Sequence, residues 1–296
     1  MSVLSPAAGL SRQYVKLCSR EDFEDPEFLR TLHEIEPGRE DPGHLHRKYW
    51  EYAMLGLYLE EVGALREDAQ ALAVGAGHET PLFWLTNRIG RVVATDIYGA
   101  GDFADREASA TMLTDPAAFA PYPYRADRLE VADMDARRLE FPDESFDIVF
   151  SLSSIEHFGG PADIRKAASE MARVVRPGGH LVIVTECFLG RHVLDSPLTQ
   201  FGIRLATLGR RCGTATPWRR STECFMPRDI QRLIIGPTGL PLVQPLDTSV
   251  SERTHENTIR WVDGEPTPET GEPYPHLVLK AHGAPWTSAF LAFRKP

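Results

Sequence analysis

The chain has 296 residues, 42% hydrophobic and 25% charged, with a formal net charge of -10 and a pI near 5.5. This composition supports a packed core and excludes a disordered polymer, and the acidic balance argues against nucleic acid as a partner, since backbone phosphates need a basic surface. No stretch approaches the roughly 18–20 apolar residues of a membrane span, and the N-terminus MSVLSPAAGLSRQYVKLCSR lacks the apolar core of a secretory signal, so a cytoplasmic protein without a membrane partner is expected.

In chain order, residues 1–68 carry no glycine-rich loop and end in a helical pattern at 49–59, where apolar residues recur at three and four. Residues 69–187 alternate short β-rich runs with helical ones, the pattern of a parallel sheet with crossover helices. Strands are predicted at 71–74, 91–95, 128–132, 146–151 and 180–185. Helices are predicted at 80–88, opened by Pro81, and at 161–175, stopped by Pro177-Gly178-Gly179. From 188 to 296 the pattern loosens into loops and short elements, proline-rich between 237 and 285. Runs at 240–243 and 288–293 are expected there as an antiparallel pair that closes the sheet. The predicted organisation is a helical segment over 1–68, an α/β core over 69–187 and cap elements with closing strands over 188–296. The four cysteines, Cys18, Cys187, Cys212 and Cys224, show no CxxC spacing and read as reduced thiols.

Chemistry concentrates in the core. Gly75-Ala76-Gly77-His78-Glu79 follows a predicted strand and precedes a predicted helix, where glycines allow a sharp turn and close approach of a ligand to the backbone. Asp96 ends the second strand nineteen residues after Gly77, at a distance where a carboxylate accepts both hydroxyls of a ribose, unless it merely caps a turn. Met134-Asp135-Ala136 follows the third strand, where Asp135 suits an exocyclic adenine amine and Met134 the ring face; a plain loop carboxylate is the alternative.

The strings ALAVGAGHE, VVATDIY, ADMDARRLEFPDESFDIVFSLSSIEHF and MARVVRPGGHLVIV, in that order, resemble class I S-adenosylmethionine (SAM)-dependent methyltransferases over roughly residues 70–185. The resemblance implies a Rossmann-like α/β fold: a seven-stranded, mostly parallel sheet with helices on both faces, SAM as cofactor, and added segments that select the acceptor. It assigns Gly75, Ala76 and Gly77 to the methionine side of the pocket, and Asp96 with Ile97 to the ribose. Met134, Asp135 and Ala136 fall to adenine, and Ser151 and Leu152 to the pocket floor. Two positions depart from the pattern. Ala73 stands where many members carry an acid and Glu79 where many carry glycine; Glu79 then either contacts the SAM ammonium group or, the preferred reading, stabilises the helix N-terminus. A nicotinamide dehydrogenase fits less well, because the third glycine of the dinucleotide fingerprint is missing.

Methyl transfer is an in-line displacement at a sulfonium carbon, so the enzyme chiefly positions an acceptor lone pair. Glu156-His157, just past the fourth strand, lies at the carboxyl edge of the sheet. His157 suits a general base and Glu156 its orienting partner, although an acid-His pair at this place also shapes cofactor pockets. Phe201, Trp218, Phe225, Trp261, Tyr274 and Trp286, interspersed with charged residues, suit a sugar or polar metabolite, or else anchor loops. The expected reaction is O-methylation of a saccharide or small molecule. Alternatives are a cyclopropane-synthase-like reaction, suggested by EHFG, an N-methyltransferase, and a noncatalytic SAM-binding protein. No metal site is expected: His44-Leu45-His46 has no companion carboxylate, and Asp247, His255, Asp263 and His276 show no firm spacing. The basic stretch 209–220 reads as a solvated loop. The acceptor atom, metal dependence and oligomeric state are left open by these residues.

Overall fold

The computed structural model describes residues 9–190, 205 and 224–296, apart from 40, 42, 102, 105, 263, 264, 282 and 283. Five parallel strands form its centre: β2 (Gln70–Val74), β3 (Arg91–Asp96), β4 (Leu129–Asp133), β5 (Phe146–Leu152) and β6 (Val175–Phe188). With β10 (Ala284–Arg294) beside β6, the order is β4-β3-β2-β5-β6-β10, and only β10 runs antiparallel in this set. β2, β3, β5 and the second half of β6 are nearly continuous apolar runs, as strands covered on both faces require, while β4 at the end of this order is partly exposed.

The chain winds one way from β2 to β4 and the other way from β5 to β6. The order therefore reverses between β2 and β5, and open α/β sheets bind ligands beyond the strand ends at such a switch point. The β2–β3 crossover carries α3 (Thr80–Thr86), which packs with α1 (Pro26–Ile35) and α2 (Arg47–Glu61). The β5–β6 crossover carries α4 (Pro161–Val174), which packs on β5, β6 and an irregular helical run over residues 227–238. Right-handed crossovers place these two helix groups on opposite faces.

The sheet differs from the expected one in three ways. Among the described residues it has ten strands rather than seven, because β10 extends to β9 (Val278–Ala281), β7 (Thr258–Val262) and β8 (Glu265–Pro268), while β1 (Lys16–Leu17) pairs with β10 separately. The prolines that read as loop in this region include Pro266 and Pro268 of β8, an outer strand bonded only to β7, where a missing N–H costs no ladder bond. Conversely, the run at 240–243 makes only a single bridge, Leu242 to Phe293, since Pro241 cannot donate. The Pro177-Gly178-Gly179 step lies inside β6, where the β5 register shifts, rather than ahead of it.

Helix α2 is the N-terminal element that matters for the site. Every residue from Trp50 to Leu59 is buried, so it is a central helix rather than a surface one. His46 caps it, Nδ1 accepting the Lys48 N–H at 3.1 Å. That cap fixes the first turn, and with it Arg47 and Lys48, over the sheet edge. Among the described residues no helix is long and apolar enough to cross a membrane.

Candidate functional site

The carboxyl ends of β2, β3 and β5 open onto a cavity of about 680 Å³, within the range of small-ligand sites. The loop after β2 forms one wall. Gly75 (φ +65°) and Gly77 (φ +48°) hold left-handed backbone that side chains other than hydrogen resist. A Cβ at Gly75 would lie 2.7 Å from Ser154 Cβ, and one at Gly77 2.6 Å from the Glu107 carbonyl oxygen. Ser154 Oγ donates to the Gly75 carbonyl at 2.7 Å and the Tyr98 hydroxyl to the Gly77 carbonyl at 2.8 Å, which locks the turn.

Asp96 closes β3 against this loop. Its Oδ2 accepts the Gly77 N–H at 2.9 Å and its Oδ1 the Ile97 N–H at 2.8 Å. Burial raises its pKa, with the two N–H groups opposing. Each oxygen retains a second lone pair for a ligand hydroxyl. Asp135 is more heavily committed: Arg137 Nε and Nη2 donate to Oδ2 at 2.9 and 2.6 Å, and the Arg137 N–H to Oδ1 at 2.8 Å. The guanidinium holds its carboxyl below the ordinary range.

The sequence-predicted residues Gly75, Ala76, Gly77, Glu79, Asp96, Ile97, Met134, Asp135, Ala136 and Leu152 all border the cavity. Ser151 does not. Strand alternation turns it away from its neighbour Leu152, and it is 1% exposed with Oγ unbonded among the described residues. Glu79 occupies the N-cap of α3, but its side chain makes no capping hydrogen bond. It accepts instead from Lys48 Nζ at 2.8 Å, which corrects the helix-stabilising reading: a full ammonium charge outweighs the partial charge of a two-turn helix. Burial pushes the Glu79 carboxyl up to about 7, with Lys48 opposing.

His157 stands in the single turn Ile155–His157 past β5, borders the cavity and meets the Phe103 ring edge-on at 4.6 Å between centroids. Glu156 faces elsewhere. Its Oε2 accepts from Thr185 Oγ1 at 2.8 Å, and Oε1 is buried without a partner among the described residues. Burial, with Glu186 beside it, raises the Glu156 carboxyl above its ordinary range. Its side-chain hydrogen bond goes to Thr185 rather than to His157.

The sequence reading misses the charged wall supplied by α2 and β6. Glu51, fully buried, accepts from Arg47 Nη1 at 3.0 Å, Ser153 Oγ at 2.8 Å and Ser288 Oγ at 2.6 Å. Lys48 Nζ lies 3.1 Å from its other oxygen and donates to the Leu152 carbonyl at 3.2 Å. Arg47 also donates to Glu186 at 2.8 Å and lies 4.8 Å from the Trp286 ring centroid. Burial opposes the Glu51 charge, but Lys48, Arg47 and the two hydroxyls outweigh it and hold the carboxyl below its ordinary value. One signal was present in the sequence: Arg47, Lys48 and Glu51 are polar residues opening an apolar helix, which implies a polar lining where that helix meets the sheet edge.

The remaining candidates disperse. His78 borders the cavity and stacks on Phe119 at 4.4 Å. His180 bonds the Tyr58 hydroxyl at 2.8 Å, its pKa pushed down to about 4 by burial. His46 stacks on His276 at 4.2 Å, and His44 on Tyr274 at 4.2 Å. Among the described residues no group of three or more His, Cys, Asp or Glu is arranged to hold a metal ion. Cys18, Cys187 and Cys224 are buried and form no disulfide among the described residues. The candidates Phe201, Trp218 and Asp263, Cys212 and the basic stretch 209–220 lie outside the described residues.

Comparison with known proteins agrees with this geometry. Residues 72–183 match the family model described as "Methyltransferase domain". The chain is 47% identical over 55 residues to phosphatidylethanolamine N-methyltransferase of Cereibacter sphaeroides, covering 19% of this chain and 26% of that protein. It is 42% identical over 62 residues to a protein of Oryza sativa subsp. japonica named probable tocopherol O-methyltransferase, chloroplastic, covering 21% and 16% respectively. The chain thus spans about a quarter or less of the length of these curated relatives. The solved structure of the 4+2 cyclase SpnF covers 78% of this chain and 75% of its own, at 16% identity and a TM-score of 0.46, too low to carry weight.

Proposed function

We propose that this chain, whose residues 72–183 form a methyltransferase domain of the class I SAM-dependent type, transfers a methyl group to a hydroxyl of a saccharide or small polar metabolite, with His157 as the base. The observation that carries the reading is that His157 borders the same cavity as Gly75, Gly77 and Asp96, at the switch point of the sheet. The residues fit SAM, the cofactor of this domain type. The glycine turn admits a ligand where a Cβ would collide, Asp96 offers lone pairs to a ribose, and Met134 with Ala136 and Ile97 supply a wall for adenine. Bound SAM supplies an electrophilic methyl carbon on a sulfonium.

The protein's part is then to hold the acceptor in line and remove its proton. The hydroxyl proton passes to the His157 imidazole. A polar acceptor is supported by the charged side chains that border the cavity, Arg47, Lys48 and Glu186, with Arg47 Nε buried and without a hydrogen-bond partner among the described residues. A buried donor left in this state favours a ligand that accepts from it. A second reading, an amine acceptor, draws on the carboxyl of Glu186, which borders the cavity.

The test is turnover of labelled SAM with a panel of sugars, small alcohols and amines. His157→Ala is expected to lower turnover by roughly 10²–10⁴-fold with unchanged affinity for S-adenosylhomocysteine, and Asp96→Ala to weaken that affinity. Full turnover in His157→Ala would remove the base, and methylation of amines alone would select the second reading.

A further inference from the structure

Ala73, at the end of β2, leaves the cavity without the acid expected there, and its methyl is buried at 1% exposure. The nearest replacement on the same cavity is Glu79, six residues on. Its Oε1 is held by Lys48 Nζ at 2.8 Å, while Oε2 has no hydrogen bond among the described residues and its side chain keeps 14% exposure on a residue that borders the cavity. Lys48 is in turn fixed by Glu51 and by the Leu152 carbonyl. Lys48 thus donates hydrogen bonds to Glu79 and to the Leu152 carbonyl and lies in an ion pair with Glu51, an arrangement in which Lys48 anchors Glu79.

The local charge count points the same way. Two cations, Arg47 and Lys48, face three carboxylates, Glu51, Glu79 and Glu186. Arg47 is divided between Glu51 and Glu186, and Lys48 between Glu51 and Glu79, which leaves one negative charge in excess when all three carboxyls are ionised. A buried excess charge calls for a partner, and Glu79, which borders the cavity, has an oxygen without a hydrogen bond among the described residues.

We infer that Glu79, anchored by Lys48, is the acid that receives the ammonium group of the cofactor's amino-acid end, in place of a strand-end acid at position 73. Glu79 is the contacting residue and Lys48 a positioning residue that keeps the carboxylate aimed and charged. The inference rests on the SAM-binding reading above but not on the acceptor or on His157.

The experiment compares two adenosine ligands by calorimetry at pH 8. S-adenosylhomocysteine carries the amino-acid end, and 5′-methylthioadenosine carries the same nucleoside and sulfur without it. Wild type is expected to bind S-adenosylhomocysteine more tightly. Glu79→Gln, nearly isosteric, is expected to lose roughly ten- to hundredfold in affinity for S-adenosylhomocysteine, the scale of a hydrogen bond to a charged group. Its affinity for 5′-methylthioadenosine should stay within about twofold of wild type, which also reports an intact fold. Lys48→Met is expected to show the same selective loss, to a smaller extent. If Glu79→Gln weakens both ligands equally, or neither, the assignment falls while the SAM-binding reading stands. If wild type binds neither ligand, both fall.

Discussion

On the nucleotide side of the cavity, the contacts run between near neighbours: Asp96 bonds Ile97, one residue on, and Gly77, nineteen back, and Asp135 bonds Arg137. On the charged wall they run between long side chains from distant elements, Glu51 to Ser288 across 237 positions and Arg47 to Glu186 across 139. The first side is a matter of local backbone shape with short side chains attached. The second is an ion cluster that exists only when α2, β5, β6 and β10 are all in place. A site built this way combines one wall specified by a short stretch of chain with a charged wall set by the packing of distant segments.

Breaking the charged wall at its centre should have the largest effect on stability. Glu51→Ala strips the fully buried carboxylate from Arg47, Lys48, Ser153 and Ser288, and is expected to cost about 3–5 kcal/mol in urea denaturation. A cost under about 1 kcal/mol, the level of an exposed ion pair, would mean that the cluster is solvated and the contrast between the two halves is lost. The nucleotide half should respond to backbone change instead. Gly77→Ala forces a side chain into left-handed backbone and against the Glu107 carbonyl, and is expected to cost about 1–3 kcal/mol, seen as a lower Tm together with weaker binding of 5′-methylthioadenosine. An unchanged Tm with unchanged binding would show that the loop tolerates a Cβ.

The smallest effect, and the one that separates the halves most finely, is pH dependence. The Glu79 carboxyl, raised to about 7, faces Lys48 and Glu51 of α2 and Asp96 of β3. An ammonium ligand favours the carboxylate form, so affinity is full above pH 7 and lost as pH falls through it, by up to about tenfold per pH unit. S-adenosylhomocysteine should show this loss between pH 8 and pH 6, and 5′-methylthioadenosine should not. Lys48→Met, which removes a charge that favours the carboxylate, should move the midpoint upward. Equal profiles for the two ligands would assign the titration to Asp96 or another group of the nucleotide half.

The parallel centre of the sheet, the glycine turn, Asp96 and the match of residues 72–183 to a methyltransferase domain were legible in the sequence. Each follows from interactions within a few residues: apolar periodicity, a conformation that glycine alone tolerates, and a carboxylate a fixed distance along one βαβ unit. What only the tertiary structure decided depends on contacts between segments far apart in the chain. Ser151 turns away from the cavity because of the β5 pleat. Pro266 and Pro268 are accepted in a strand because β8 lies on the outside of the sheet. Glu156 bonds Thr185 rather than His157, and Glu79 pairs with a lysine from a helix that begins more than thirty residues before it. Local sequence determines backbone shape, because its cost is paid residue by residue; where a buried charge finds its partner is decided by which elements meet.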